Sequence, residues 1–172
     1  MEFITSVKAL IPDWAKDIRL NLDGTIARST LKPEDAVGVA LAAAYAARSP
    51  TLIAAFRSGL SEQDATGVLT AAALMGMNNT YYPYVEMAND AQLKTMPAQL
   101  RMNAYATHGG IDKNRFELFA LAASIIGKCH FCITSHYDAL KKAGYTSEQL
   151  RDAGRIASVV NAAAQVLVAE GK

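Results

Sequence analysis

Two cysteines lie close enough in the sequence to act as one redox pair. Cys129 and Cys132 are the only cysteines of the chain and are spaced as C-x-x-C. Sulfur atoms at this spacing can close a disulfide without a large backbone movement. A thiolate is a good nucleophile, whereas a thiol is a poor one. The pair therefore predicts dithiol redox chemistry, provided that nearby groups can take up and return protons.

Two further side chains are placed to move those protons. The cysteines are predicted to open a helix of residues 129–143, where free backbone N–H groups and the helix dipole favour a thiolate. His136 follows Cys132 by one helical turn and shares its face, so it can exchange a proton with sulfur directly or through one water. Glu117 lies on the preceding helix. If the two helices pack antiparallel across residues 127–128, Glu117 orients His136 or holds a water. A buried glutamate is also a candidate for a raised pKa.

Two other interpretations of these residues stay open. In the first, Cys129, Cys132 and His136 are three zinc ligands, and Glu117 or His108 is the fourth. Structural zinc sites usually bring a second pair of ligands such as C-x-x-C or H-x-H, which this sequence lacks. In the second, the cysteines are inert and packed on a helix, since free cysteine is often buried.

Four other features each have a structural interpretation, and two of them also have a functional one. His130, inside the C-x-x-C, points to a different face from His136 and either tunes the pair or is exposed. His108 is flanked by glycine and is expected to be a loop residue. Trp14 is expected to anchor the core as part of an apolar stripe with residues 18 and 22. The aromatic stretch at residues 81–84 is expected to pack over a helix end, although it would also suit a site wall or an interface.

Composition excludes several classes of function. The chain has 172 residues, a net charge of +1 and no basic stripe with interleaved aromatics, so a nucleic-acid partner is not expected. Its longest apolar runs are about three helical turns, shorter than the roughly 20 residues of a membrane span. The N-terminus lacks the pattern of a signal peptide. We therefore expect no membrane association and a cytoplasmic protein, whose thiols are normally kept reduced.

Helical periodicity and cap residues predict an all-α chain that forms a single domain over residues 1–172. Residues 1–30 form the first element, a helix with irregular ends that stops in the turn-forming residues 21–24. A short helix and linker are expected at residues 87–97, and a connection at 98–111. The other predicted helices span residues 33–48, 51–58, 61–79, 112–126, 129–143 and 146–169.

A repeated pattern predicts two related helical units. Ser61 and Ser147 each begin a Ser-Glu-Gln sequence that follows a helix ending in glycine and opens a long helix rich in alanine. The first unit lies within residues 1–97 and has no thiol. The second lies within residues 98–172 and carries both cysteines. The first unit has Ser49 and Pro50 near the place that the cysteines occupy in the second.

The pattern E-x11-C-x-x-C-x3-H resembles that of the alkyl hydroperoxidase D (AhpD) family. Glu117, Cys129, Cys132 and His136 match it position for position. The resemblance extends over nearly the whole chain, including residues 16–22, 73–79 and 100–103. The helical unit is also similar to that of carboxymuconolactone decarboxylases, which lack the redox pair.

The resemblance implies an all-α homotrimer with antioxidant thiol peroxidase activity toward organic hydroperoxides. Cys132 would become the sulfenic acid, and Cys129 would be the proton donor and resolving thiol. His136 and Glu117 would complete the proton relay. No cofactor would be tightly bound: a dihydrolipoyl group on a lipoylated acyltransferase would reduce the disulfide. An AhpC-type peroxiredoxin would be a further partner.

Two alternatives of other classes remain at this point. One is an electron-transfer adaptor that carries electrons from a lipoyl protein to a peroxiredoxin, with little direct peroxidase activity. The other is a non-redox protein similar to carboxymuconolactone decarboxylases, in which both cysteines would be replaceable.

Overall fold

The computed structural model describes residues 2–172, so that only Met1 of the predicted first element lies outside the described residues. Within that range the chain contains no β-strand, and the predicted all-α class is confirmed. The α-helices are α1 (Glu2–Lys8), α2 (Lys16–Ala27), α3 (Pro33–Ala46), α4 (Pro50–Arg57), α5 (Glu62–Ala88), α6 (Ala91–Thr95), α7 (Asn103–Thr107), α8 (Lys113–Gly127), α9 (His130–Lys142) and α10 (Ser147–Ala169). None of the helices in this range is both long and apolar enough to cross a membrane.

The cap residues begin the long helices as the sequence predicts. The Ser61 hydroxyl accepts a hydrogen bond of 3.1 Å from the Asp64 backbone N–H at the start of α5. At the start of α10, Thr146 and Gln149 form a reciprocal capping box. The second cap therefore comes one residue before Ser147, the serine that the repeat aligned with Ser61.

The first predicted element differs from the observed one. A 3-10 turn at Asp13–Ala15 precedes α2, and α2 continues through the predicted stop to Ala27. The prediction that Trp14 anchors the core is wrong, because the turn takes this residue off the stripe that buries Leu22. The Trp14 side chain is 67% exposed, and its indole N–H donates to Glu170 at 3.1 Å.

Helix α5 is longer than predicted, because it does not end near residue 79. The tyrosines of residues 81–84 are part of its last turns, and Pro83 lies inside the helix. Proline removes one helical hydrogen bond but is tolerated here, close to the end of α5. The helix ends at Asn89, which has a left-handed conformation with φ of 50°. The packing predicted for the aromatic stretch is observed for Tyr82, whose ring lies 4.5 Å from that of Phe131 on α9.

Two helices rich in small residues form the centre of the core. Every residue from 35 to 44 of α3 and from 116 to 124 of α8 is buried. Gly38 permits their close approach, because a Cβ atom at this position would overlap the ring of Phe119. Helix α3 also packs against α10, and α8 packs against α5. These contacts between the two halves of the chain, and the matching order of α3–α4–α5 and α8–α9–α10, agree with two related helical units. The boundary between the units near residue 97 stays a prediction.

Arg115 links three helices at the edge of this core. From α8, its Nε atom donates to Asp35 of α3 at 2.6 Å, and its Nη1 atom donates to Asp64 of α5. Burial raises the pKa of Asp64, but hydrogen bonds from Arg115 and Ser61 lower it further than burial raises it. The ion pair between Arg115 and Asp64 therefore contributes its full stabilisation above the ordinary carboxyl pKa. This stabilisation is lost as the pH falls through the lower pKa that Asp64 has in the folded protein.

We expect Arg115→Met to lower the free energy of unfolding by about 3 kcal/mol at pH 7, because it leaves the buried Asp35 carboxylate without its partner. Urea unfolding followed by circular dichroism measures this loss. Arg57→Met is the matched control: Arg57 pairs with Glu62 on the surface, so its loss should cost less than about 1 kcal/mol. Equal losses in the two variants would show that Arg115 is not a structural link.

Candidate active site

The C-x-x-C pair lies at the start of α9, as predicted. Lys128 ends α8 in a left-handed conformation, with φ of 53°, and turns the chain back on itself. Cys129 is the N-cap residue of α9, and its sulfur accepts a hydrogen bond of 3.2 Å from the Cys132 backbone N–H. The two cysteines form a disulfide with their Cα atoms 5.3 Å apart. Residue types and spacing thus place both sulfurs in the first turn of the helix.

The structure brings Glu117 and His136 together between α8 and α9. The Glu117 Oε2 atom lies 2.7 Å from His136 Nδ1, and both side chains are buried, at 4% and 6% exposure. An ionised carboxylate can only accept a hydrogen bond, so Nδ1 carries a proton and donates it. In the neutral imidazole the other nitrogen, Nε2, is then the free base. This nitrogen faces away from Glu117 and lies 3.1 Å from the Met75 sulfur on α5.

A third group, which the sequence did not predict, completes this hydrogen-bonded chain. The hydroxyl of Tyr105, on α7, donates to Glu117 Oε1. Tyr105 lies in the predicted 98–111 connection, and no local pattern in the sequence links it to α8. Only the packing of that connection against the site reveals it.

The charge on Glu117 depends on these two donors. Burial raises the pKa of this carboxyl, but the hydrogen bonds from His136 and Tyr105 lower it by more, so the pKa lies below its ordinary value. The expectation of a raised pKa is therefore wrong, because it considered burial without the two donors. Burial and the Glu117 carboxylate raise the pKa of Tyr105, which keeps its hydroxyl protonated as a donor.

A cavity of about 160 Å³ opens beside the disulfide. Its walls combine apolar and aromatic side chains with a few polar groups. They are Met75, Asn78, Tyr82, Met102, Tyr105, Phe131, Cys132, Ser135 and His136. Cys132 lines this cavity, whereas Cys129 does not and is fully buried. A small molecule in the cavity would therefore meet Cys132.

The other two histidines lie outside the hydrogen-bonded chain. His130 is exposed, and its Nδ1 atom lies 3.2 Å from a Glu86 carboxylate oxygen on α5. His108 is in the expected turn, where its ring packs edge-on against those of Tyr105 and Phe116. Neither histidine hydrogen-bonds to a sulfur of residues 2–172.

The geometry of the described residues does not support the zinc-site interpretation. Residues 2–172 contain no group of three or more histidine, cysteine, aspartate or glutamate side chains arranged to hold a metal ion. Cys129 and Cys132 are bonded to each other, and His136 donates from Nδ1 to Glu117 while its Nε2 lies beside the Met75 sulfur.

Similarity to known proteins covers almost the whole chain. Three relatives, each named alkyl hydroperoxide reductase AhpD, illustrate it. The protein from Rhodospirillum centenum is 43% identical over 171 residues, which cover 97% of this chain and 91% of the relative. The protein from Maricaulis maris is 42% identical over 171 residues, which cover 97% of this chain and 98% of the relative. The protein from Brucella canis is 40% identical over 170 residues, which cover 96% of this chain and 97% of the relative.

The chain belongs to the AhpD family. The resemblance drawn from the four-residue motif is thereby confirmed. A model of the carboxymuconolactone decarboxylase family also matches residues 91–170, which include both cysteines. In this AhpD family member, the matched region contains α8 and α9, the two helices that hold Glu117, His136 and the disulfide.

We expect Tyr105→Phe to lower the free energy of unfolding by about 2 kcal/mol at pH 7, because it removes a hydrogen bond to a charged carboxylate. It should also raise the pKa of Glu117. The loss should shrink as the pH falls from the ordinary carboxyl pKa through the lower pKa of Glu117 in the folded wild-type protein, below which Glu117 is protonated in both proteins. Urea unfolding at a series of pH values measures both effects.

Tyr84→Phe is the control for that measurement, since Tyr84 is exposed on α5 and should tolerate the change at every pH. A Tyr105→Phe variant as stable as wild type, or one whose loss does not vary with pH, would show that the hydroxyl does not stabilise the Glu117 carboxylate.

Proposed function

We propose that this chain is a dithiol peroxidase that reduces organic hydroperoxides and is re-reduced by a dihydrolipoyl group. One observation carries the proposal. Cys132 and His136 line the same small cavity, and Glu117, which also accepts from Tyr105, lies behind His136. The names of the relatives support the same class of reaction.

The reaction begins with a thiolate at Cys132 in the reduced protein. This residue lies in the first turn of α9, where free N–H groups and the helix dipole favour negative charge on sulfur. His136 Nε2, the free nitrogen of the imidazole, takes the thiol proton directly or through one water. Glu117 holds the imidazole in the required tautomer and stabilises the imidazolium that forms.

The Cys132 thiolate then attacks the distal oxygen of the hydroperoxide. The O–O bond breaks, a sulfenic acid forms on Cys132, and the alkoxide takes a proton from His136 to leave as an alcohol. The Cys129 thiol next attacks the sulfenic sulfur. An S–S bond forms, and the hydroxyl leaves as water with the proton of Cys129. The peroxide gains two electrons, and the two thiols lose them.

An external dithiol resets the protein. A dihydrolipoyl thiolate attacks Cys132, the cysteine that lines the cavity, and displaces Cys129. The second lipoyl thiol then attacks the lipoyl sulfur of the mixed disulfide, which forms a cyclic lipoyl disulfide and releases Cys132 as a thiol. We assign the lipoyl group to a lipoylated acyltransferase. The cycle requires no tightly bound cofactor, and it suits the cytoplasm, where thiols are kept reduced.

A second candidate is an electron-transfer adaptor that reduces an AhpC-type peroxiredoxin and turns over little peroxide itself. The Phe131 ring favours it, because this side chain is 57% exposed next to Cys132 and aromatic groups are enriched in protein interfaces. Peroxide consumption driven by a lipoylated acyltransferase, with and without the peroxiredoxin, separates the two candidates. We also propose a homotrimer for either one, which light scattering coupled to size-exclusion chromatography would test.

Mass spectrometry of single-cysteine variants tests the proposed function. Reduced wild-type protein treated with one equivalent of a small alkyl hydroperoxide should lose about 2 Da and resist thiol alkylation. Cys129→Ser should instead gain about 16 Da, as a sulfenic acid trapped on Cys132. Cys132→Ser should keep a thiol that is alkylated and should lose lipoyl-dependent turnover.

Each variant serves as the control for the other, since both remove one thiol from the same turn. Substantial turnover by Cys132→Ser would overturn its assignment as the nucleophile. If both cysteines can be replaced without loss of function, the chain is a non-redox protein instead.

A further inference from the structure

Asn78 is a buried polar residue of the cavity that the proposed reaction does not yet use. It lies on α5, is 7% exposed and lines the same cavity as Cys132. Its amide Nδ2 donates to the Met102 sulfur at 3.7 Å. Its amide oxygen, Oδ1, is buried and has no hydrogen-bond partner among the described residues.

The contact with Met102 fixes which end of the amide lacks a partner. A thioether sulfur accepts hydrogen bonds and cannot donate them, so the NH₂ group faces it. The oxygen is the end left over. Buried amide oxygens are seldom left unpaired, because they have lost their hydration without gaining a donor. An unpaired oxygen on a residue that lines a cavity indicates a ligand with a donor group.

The other polar groups near the cavity have partners, lie at its exposed side or already serve the proposed reaction. The Tyr105 hydroxyl and His136 Nδ1 both donate to Glu117, and His136 Nε2 is the base that takes up the Cys132 proton. Ser135 is exposed. The remaining walls are sulfur-containing and aromatic, and include Met75, Met102, Tyr82 and Phe131. The cavity thus suits a small molecule with an apolar body and a single O–H donor.

We infer that Asn78 Oδ1 accepts a hydrogen bond from the O–H of a small alkyl hydroperoxide whose alkyl group contacts the apolar walls. This inference rests on the proposed peroxidase function. In that reaction the distal oxygen and its hydrogen pass together from the peroxide to Cys132. The hydroxyl that donates to Asn78 in the substrate is therefore the hydroxyl of the sulfenic acid afterwards, and one acceptor serves both states.

Comparing the two half-reactions tests this role. Asn78→Leu removes the acceptor and keeps the number and branching of the side-chain heavy atoms. We expect the second-order rate constant for oxidation of the reduced protein by tert-butyl hydroperoxide to fall about 10-fold, the scale of one lost hydrogen bond. Reduction of the disulfide by dihydrolipoamide needs no hydroperoxide O–H, so its rate should change by less than about 2-fold. Rapid-quench thiol alkylation measures both rates.

Asn79→Leu is the matched control, because it removes the same group from the next position of α5 and does not line this cavity. Both of its half-reactions should stay within about 2-fold of wild type. If Asn78→Leu does not fold, Asn78→Ala replaces it, and the same selective loss of oxidation is expected.

Three results would overturn the role of Asn78. These are oxidation at the wild-type rate, an equal slowing of both half-reactions, which indicates a structural role, or slowing of reduction alone. Wild-type protein that fails to form a disulfide with the hydroperoxide would overturn the proposed function, and this inference with it.

Discussion

The candidate active site depends on one hydrogen bond, between the Glu117 carboxylate and His136 Nδ1. It joins α8 to α9 in the protein interior, where an unpaired carboxylate would be costly. Because Glu117 accepts, the neutral imidazole has its proton on Nδ1 and its base on Nε2. The Tyr105 hydroxyl donates to the other carboxylate oxygen of Glu117 and so also stabilises the negative charge. Together these contacts keep Glu117 ionised although it is buried.

The fold holds this hydrogen bond in place by close packing. Glu117 lies within the part of α8 that is completely buried, so its side chain has little freedom to move. The left-handed turn at Lys128 brings α9 back along α8 and sets His136 against Glu117. At the other end of α8, Arg115 fixes the helix to α3 and α5. The same packing places Met75 and Asn78 of α5 at the cavity.

The two helical units have an N-cap residue at equivalent positions, with a hydroxyl in the first unit and a sulfur in the second. Ser49 is the N-cap residue of α4, and its hydroxyl accepts a hydrogen bond of 3.4 Å from the Leu52 N–H. Cys129 caps α9 in the same way, with Cys132 as the donor. The first unit thus has serine and a buried leucine where the second has its two sulfurs. The first unit helps to build the core, and the second contributes the disulfide.

Sequence reasoning identified the features that local spacing determines. The C-x-x-C at a helix start, the shared face of Cys132 and His136, and the caps of α5 and α10 follow from interactions within a few residues. The position of Glu117 is predictable because its helix and that of His136 are consecutive, and antiparallel packing across their short turn brings the two side chains together.

Features that depend on distant contacts were not predictable in this way. Tyr105 and Asn78 reach the site from other helices, and nothing in their own surroundings in the sequence indicates it. The direction of the Glu117 pKa was wrong because Tyr105 and His136 both donate to it. The stripe of residues 14, 18 and 22 predicts a buried Trp14 only if one α-helix contains all three, whereas residues 13–15 form a 3-10 turn with a different repeat.

The pH dependence of disulfide formation in Glu117→Gln and His136→Gln tests the proton relay most directly. Reduced proteins would be mixed with a small alkyl hydroperoxide, and the loss of free thiols followed in single turnover. Both variants should react about 10²-fold more slowly than wild type and lose its pH dependence, as expected without acid–base assistance. Glu86→Gln, which alters the exposed pair with His130, should behave as wild type. If the pH–rate profiles of both relay variants overlay that of wild type, the hydrogen bond between Glu117 and His136 does not activate Cys132.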